Sequence, residues 1–231
     1  AGDPRPAAIS TPSIYRRRAP VADVREDDPL PPRFINDYAR TKFEAEQRVR
    51  ESGIEAIILR PQGIFGPRDT SILPRLMVLG RRGILPCFGD GSQRIDLTFV
   101  DNVVDAIDGA LQAPAHAWGR AYNITNGEPV NQLDTIESIL RELAMPVRRR
   151  QLPFWPLHAW ARAVEMLHHL LQPDIEPAIT AYGLCALAFT RTLNIDAAHQ
   201  HLGYQPRTGM AEGLAIMTQW AKDHGLDPAR R

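Results

Sequence analysis

Short apolar runs alternate with helical patterns through most of this chain, and this alternation restricts the folds it can adopt. The runs with the length and apolar content of strands are AAISTPSIY, EAIILRP, DLTFV and AYNIT. The segments with helical periodicity are about 34–51, SILPRLMVLGRRG, DNVVDAIDGALQ and NQLDTIESILRELA. Helices that connect successive strands are typical of parallel sheets with right-handed crossovers. The sequence therefore predicts an α/β fold.

Two stretches depart from the alternation. RRRAPVADVREDDPLPPRF is charged and rich in proline, so we expect a loop without regular elements there. After Gln151 the pattern becomes mainly helical, and its last two predicted helices are LNIDAAHQHLGY and GMAEGLAIMTQWAKDHG. We therefore predict one domain over 1–150 and a mainly helical lobe over 151–231.

Composition favours a small-molecule partner. The 231 residues contain 27 Lys plus Arg and 27 Asp plus Glu, so no net field attracts nucleic acid or an anionic membrane. Cys87 and Cys185 lie far apart in apolar segments, and no Cys/His cluster has the spacing of metal ligands. The sequence shows neither a signal-peptide pattern nor an apolar run of roughly 18 residues. We expect a reduced, cytoplasmic chain without a metal and without membrane insertion.

The segment NDYARTKFEAE places Tyr38 and Lys42 four residues apart in a predicted helix, hence on one face. A phenol in water releases its proton only near pH 10, but a nearby ammonium stabilises the phenolate. The pair therefore suits general acid/base catalysis. Because Tyr-x-x-x-Lys is common by chance, the alternative is a tyrosine and a lysine that only decorate a helix surface.

Hydroxyl groups follow the first predicted strand. Ser10, Thr11 and Ser13 lie at its end in ISTPSIY, and strand ends are where α/β proteins form their sites. The alternative is a turn capped by short polar side chains. A second predicted strand ends in LRPQGIFGPRD, whose proline and glycine residues would let the backbone approach a flat ligand.

The order of these motifs resembles the extended short-chain dehydrogenase/reductase superfamily, the NAD-dependent epimerases and dehydratases, over nearly the whole chain. The matching segments are ISTPSIY, EDDPLPP, DYARTKFEAE, LRPQGIFGP, GDGSQRIDLTFVDNVVDA, AYNITNGEP and LGYQP. The resemblance implies the C-terminal part of a doubly wound Rossmann-type parallel sheet, interleaved with segments of a smaller, mainly helical substrate lobe. It also implies NAD or NADP as cofactor.

The resemblance assigns roles to several residues. Tyr38 would be the catalytic acid/base, and Lys42 its electrostatic partner and a ligand of the nicotinamide ribose. Counting back from Tyr15, the third catalytic residue would be Thr11, with Ser13 as the substrate-side reserve. The residues expected beside the nicotinamide are Pro61, Gln62 and Ile64, with Gly66 and Pro67 shaping the loop.

Two departures from the family pattern affect these expectations. The initial Gly-x-x-Gly-x-x-Gly turn has no counterpart here, so we expect residues 1–231 alone to bind NAD(H) poorly, and the choice between NAD and NADP is not readable. Enzymes of nucleotide-diphosphate sugars commonly carry Gln-x-Arg-Asp, but here Ile95 takes the arginine's place. Arg94, one residue earlier, would point to the opposite face of a strand and is kept as a substrate candidate.

The remaining motifs favour an apolar substrate. FVDNVVDA, with Asn102, looks like the 3β-hydroxysteroid dehydrogenase branch and its bacterial relatives that reduce 3-oxo acids. A helix over 152–171 would suit a lid over an apolar ligand, with core packing as the alternative; its apolar residues are Phe154, Trp155, Leu157, Trp160, Met166 and Leu170.

We therefore expect an NAD(P)-dependent oxidoreductase that acts on the 3-oxo or 3-hydroxy group of a steroid-like or fatty substrate, with a homodimer as one assembly to test. The alternatives are a sugar-nucleotide epimerase or dehydratase, and a non-catalytic remnant that binds a partner or a hydrophobic ligand.

Overall fold

The computed structural model describes residues 6–171 and 180–225, the side chains of 168–171 excepted. Its strands are β1 (Ala7–Ile9), β2 (Val21–Val24), β3 (Ile57–Pro61), β4 (Ile64–Phe65), β5 (Ile84–Cys87), β6 (Arg94–Ile95), β7 (Thr98–Phe99), β8 (Ala121–Ile124), β9 (Val130–Asn131), β10 (Arg148–Gln151) and β11 (Arg191–Leu193). Its α-helices are α1 (Asp37–Glu51), α2 (Ile72–Arg82), α3 (Val100–Leu111), α4 (Gln132–Glu142), α5 (Phe154–Leu171), α6 (Ala181–Ala188), α7 (Asp196–Leu202) and α8 (Met210–Asp223).

Three parallel strands form the central sheet, in the order β1-β3-β8. Every residue of the middle strand β3 is buried, as expected for a strand with neighbours on both sides and helices over both faces. Ile57 pairs with Ala7 of β1, and Leu59 lies between Ile9 and Tyr122. The predicted α/β fold with a parallel sheet is confirmed.

Helices pack against the strands in two separate cores. Helices α3 and α7 pack with the central sheet around a core that includes Leu59, Tyr122 and Ile124. Helices α2, α4 and α8 surround a second core that includes Phe65 and Phe99. Gly213 of α8 allows this close packing, because a Cβ atom there would lie 2.8 Å from Phe99 Cδ2.

Strand β2 corrects the prediction for the charged, proline-rich segment, which was wrong in allowing no regular element. Val21 and Val24 are buried, and β2 runs parallel to β11. Strand β11 also pairs in parallel with β6, and β6 pairs antiparallel with β9. We call these four strands the side sheet. The partner of β2 lies about 170 residues away in sequence, so local composition could not reveal the pairing.

The first predicted strand is also shorter than expected. Strand β1 ends at Ile9, and Pro12–Tyr15 forms a 3₁₀ helix. Thr11 caps that helix, because its Oγ1 accepts a hydrogen bond from Ser13 N at 3.2 Å. Pro12, which has no N–H to donate to a ladder, favours the change from strand to helix.

The segment after Gln151 is mainly helical but is not separate from the rest. Helix α7 packs on β8 and α3, helix α8 packs on α4 and β4, and β11 belongs to the side sheet. The division into two domains therefore stays a prediction. Within the described ranges, no helix is long and apolar enough to cross a membrane.

The helix predicted as a lid has two different faces. Phe154 and Leu157 of α5 pack in a small core with Phe88 and Ala161. The exposed face carries four large apolar side chains, Trp155, Trp160, Met166 and Leu167. The side chain of Leu170, also predicted to face the ligand, lies outside the described residues.

Candidate active site

Helix α1 presents the Tyr38–Lys42 pair. The helix begins at Asp37 because Asn36 caps it, its Oδ1 accepting a hydrogen bond from Ala39 N at 2.9 Å. Tyr38 and Lys42 follow one turn apart on the same face. Tyr38 is 51% exposed, so its side chain is accessible from solvent.

Lys42 connects this helix to the central sheet. Its Nζ donates a hydrogen bond to the carbonyl oxygen of Ile9 at 3.3 Å, and Ile9 is the last residue of β1. The ammonium group therefore lies at the carboxyl end of strand β1. The residue that it contacts, Ile9, is two positions before Thr11.

Three hydroxyl side chains occupy the same sheet end. The backbone N–H of Ser10 continues the ladder by donating to Leu59 O at 2.7 Å, whereas its buried Oγ has no partner. Thr11 Oγ1 donates to Ser13 Oγ at 3.1 Å, and both residues are buried. The structure thus brings Thr11 and Ser13 together, shortly after the Ile9 carbonyl that Lys42 contacts.

A buried polar network fixes helix α1 against strand β3. Glu46, one turn after Lys42, accepts hydrogen bonds from Arg60 Nε at 2.9 Å and from Arg60 Nη2 at 2.6 Å. Arg60 Nη1 also donates to the hydroxyl of Tyr15, which donates to Asn123 Oδ1 at 3.1 Å. Burial raises the pKa of Tyr15 to about 12, so this phenol stays protonated as a structural donor.

Sequence reasoning missed this network. The available signal was Arg60 itself, a charged residue inside the buried strand IILRP, because a buried guanidinium requires an anionic partner. The network sets where α1 lies, and through α1 it sets the position of Tyr38.

The residues predicted beside the nicotinamide lie at the carboxyl end of β3, next to the end of β1. Gln62 N donates to Ile124 O at 3.0 Å, and Gln62 O accepts a hydrogen bond from Thr98 Oγ1 at 2.7 Å. Pro61 and Gln62 are buried, whereas Ile64 is 38% exposed. These backbone bonds hold the loop rigidly at the same sheet end as Lys42.

Arg94, the predicted substrate residue, lies on an exposed part of β6. Its guanidinium donates to the carbonyl oxygen of Pro129, while neighbouring Ile95 points into the second core. Asp96 is buried, and one of its carboxylate oxygens accepts a hydrogen bond from Leu193 N at 2.8 Å. The Asp96 carboxylate therefore connects the segment after β6 to β11. A substrate role for Arg94 stays a prediction.

A small pocket lies between the start of α1 and helix α6. We call it the arginine pocket; its lining residues are Arg16, Arg17, Val21, Ile35, Tyr182, Cys185, Ala186, Phe189 and Arg191. Arg16 directly follows the 3₁₀ helix, and Ile35 directly precedes the N-cap of α1. The arginine pocket thus lies next to the helix turn that carries Tyr38.

Two arginines of this pocket are in unusual surroundings. Arg16 Nη1 donates to the hydroxyl of Tyr182, and Arg191 Nη2 donates to Ala186 O at 2.7 Å. Burial lowers the pKa of Arg16 to about 9 and that of Arg191 to about 10. The RRR run after ISTPSIY was the only local signal for this pocket, because Arg191 reaches it from a distant segment.

Comparison with known proteins agrees with this geometry. The profile of the NAD dependent epimerase/dehydratase family matches residues 4–125, and the chain belongs to this family. It is 35% identical over 228 residues to the uncharacterized protein YbjS of Escherichia coli K12, covering 95% of this chain and 67% of that protein. It is 33% identical over 213 residues to a 2-alkyl-3-oxoalkanoate reductase of Stenotrophomonas maltophilia, covering 89% of this chain and 64% of the reductase.

The fold is similar to that of UDP-glucuronic acid 4-epimerase from Bacillus cereus, solved in complex with NAD. The TM-score is 0.65 at 22% identity, and the match covers 94% of this chain and 61% of the epimerase. This likeness confirms the Rossmann-type fold. The chain thus spans about two thirds or less of the length of these proteins.

Proposed function

We propose that this protein is an NAD(P)-dependent oxidoreductase that interconverts a 3-oxo and a 3-hydroxy group on an apolar, fatty or steroid-like substrate. The observation that carries the proposal is the hydrogen bond from Lys42 Nζ to Ile9 O. This bond supports a site in which the Tyr38–Lys42 pair acts together with Thr11 at the carboxyl end of strand β1. The reductase relative from S. maltophilia supports a 3-oxo substrate.

The residues at this sheet end fit a dinucleotide. Ser10 has a buried hydroxyl oxygen without a partner, and Lys42 brings three N–H donors suited to ribose hydroxyls. Pro61, Gln62 and the exposed Ile64 would face the nicotinamide. When bound, NAD or NADP supplies the hydride acceptor or donor.

Each catalytic residue has a distinct task. In reduction the hydroxyl of Tyr38 donates a proton to the carbonyl oxygen of the substrate, and in oxidation the phenolate accepts it. The positive charge of Lys42 stabilises the phenolate. The hydroxyl of Thr11, which donates to Ser13 in the free protein, would turn to donate to the substrate oxygen and stabilise the charge that develops there.

The structure gives less support to a sugar-nucleotide enzyme. Ile95, in the place of the expected phosphate-binding arginine, is buried in a core, and Arg94 is held by Pro129. A small-molecule substrate is consistent with the family. We also propose a homodimer and a cytoplasmic location, the latter supported by the two buried free cysteines Cys87 and Cys185.

A substrate panel tests the proposal. The purified protein is given 3-hydroxydecanoate, a 3β-hydroxysteroid or a UDP-sugar, with NAD⁺ or NADP⁺ at millimolar concentration because cofactor binding is expected to be weak. We expect oxidation of the 3-hydroxy compounds, and loss of both turnover and cofactor affinity in Lys42→Met. The exposed Arg40, which pairs with Asp37 and Glu44, gives the control Arg40→Gln, which should stay within a few-fold. Faster conversion of the UDP-sugar would refute the proposal.

A further inference from the structure

Among the residues that the structure describes, the arginine pocket holds two guanidinium groups and no anion to balance them. The Nε atoms of Arg16 and Arg191 are both buried and have no hydrogen-bond partner. Their other hydrogen bonds go to neutral acceptors, the Tyr182 hydroxyl and the Ala186 carbonyl. In the part of the chain that the structure describes, no carboxylate forms an ion pair with either arginine.

Such an arrangement is costly for a folded protein. A buried charge is normally paired, and here the positive charge of Arg191 further lowers the pKa of Arg16, which burial has already lowered. The guanidinium of Arg16 also lies over the ring of Tyr182, with its carbon 5.2 Å from the ring centroid, so its orientation is fixed. Two oriented cations with unused donors in one pocket form a site for an anion.

The pocket also lies close to the reacting group. Arg16 comes directly after Tyr15, and it shares the pocket with Ile35, which lies three residues before Tyr38. An anion held by Arg16 would therefore lie near the first turn of α1, which carries Tyr38, so a substrate whose anionic group is close to its reacting carbon fits this arrangement. In a 3-oxo acid the carboxylate carbon is two bonds from the carbonyl carbon, whereas in a nucleotide sugar the sugar ring separates the diphosphate from the reacting carbon.

We propose that the arginine pocket binds the carboxylate of a 3-oxo or 3-hydroxy acid, with Arg16 and Arg191 as its hydrogen-bond donors. Tyr182 completes the polar wall, and the apolar side chains of Val21 and Phe189 line the remainder. This inference rests on the proposed oxidoreductase function and narrows its substrate to free acids.

Binding without turnover tests the pocket. Decanoate, methyl decanoate and decyl phosphate are titrated into the purified protein by calorimetry. We expect decanoate to bind at least about tenfold more tightly than the methyl ester, since the ester lacks the charge that both arginines would contact. Arg16→Gln and Arg191→Gln should each abolish this preference, and Arg40→Gln should keep it. Equal binding of acid and ester, tighter binding of the phosphate, or an unchanged preference in both glutamine variants would overturn the proposal.

Melting temperatures and a second pair of variants separate a loss of binding from a loss of folding. Removing an unpaired buried cation should leave the melting temperature unchanged or higher. If a glutamine variant fails to fold, Arg16→Lys and Arg191→Lys keep the charge but lose the two-pronged geometry, and they should weaken decanoate binding several-fold. Retention of full affinity in both lysine variants would count against the proposal.

Turnover separates the two proposals. A protein that oxidises 3-hydroxydecanoate and its methyl ester equally well keeps the oxidoreductase function but contradicts the carboxylate pocket. A protein that prefers decanoate in binding but oxidises no 3-hydroxy acid keeps the pocket and contradicts the oxidoreductase function.

Discussion

The ion pair between Glu46 and Arg60 should be a main determinant of both stability and activity. The two side chains are 3% and 5% exposed, and the pair is bidentate. Glu46→Gln keeps the shape but removes the negative charge, which leaves the guanidinium buried without compensation. Breaking a buried pair in this way costs about 3 to 5 kcal/mol. For a chain of this size, that loss corresponds to a fall in melting temperature of about 6 to 20 °C.

Urea unfolding followed by circular dichroism measures this effect, with a second probe to confirm two-state behaviour. The double variant Glu46→Met/Arg60→Met removes both charges and should recover most of the lost free energy of unfolding. Arg40→Gln breaks only exposed, solvent-screened pairs on the same helix and should leave the free energy of unfolding nearly unchanged.

Turnover should respond as well, because the pair fixes the helix that carries Tyr38. A displacement of a catalytic group by about 1 Å can reduce the rate by about 10²-fold. A loss in Glu46→Gln of less than about 1 kcal/mol, together with a double variant no more stable than the single one, would refute the view that this pair anchors α1.

Two further predictions concern stability. Burial raises the pKa of Asp96 from 3.8 to about 6, so its contribution to folding is most favourable below pH 4 and is lost as the pH rises through 6, by about 3 kcal/mol. Asp96→Asn should flatten this dependence, and urea unfolding at pH 4 and pH 7 would show it; an equal pH dependence in variant and wild type would contradict the assignment. Gly213→Ala places a methyl group against Phe99 and Phe65 and should cost about 1 to 3 kcal/mol in the same assay, whereas the exposed Glu212→Ala should be near neutral. If Gly213→Ala has the same free energy of unfolding as the wild type, the two rings move aside without a loss of stability and the prediction is wrong.

Local patterns were sufficient to predict several parts of the structure. Helix α1 and strand β3 follow from apolar periodicity, capping and the terminal proline, all within a few residues. The shared face of Tyr38 and Lys42 follows from helical geometry alone. The family resemblance, carried by the order of the motifs, is confirmed by the match over residues 4–125.

Long-range contacts were beyond sequence reasoning. Strand β2 was missed because β11, far along the chain, supplies its hydrogen-bond partner. The same separation hid the arginine pocket, where Arg16 and Arg191 meet. The Glu46–Arg60 pair was missed because nothing in a single sequence shows which carboxylate a buried arginine will find.

The most direct test of the account follows the transfer of deuterium. We would incubate the protein with 3-hydroxydecanoate deuterated at C3 and an oxidised cofactor, and measure by mass spectrometry whether the reduced cofactor carries the label. We predict one deuterium per turnover in the wild type and a rate lower by about 10² to 10⁴-fold in Tyr38→Phe. Reduced cofactor without deuterium, or an equal rate in Tyr38→Phe, would contradict the claim that Tyr38 moves the proton in a hydride transfer at C3.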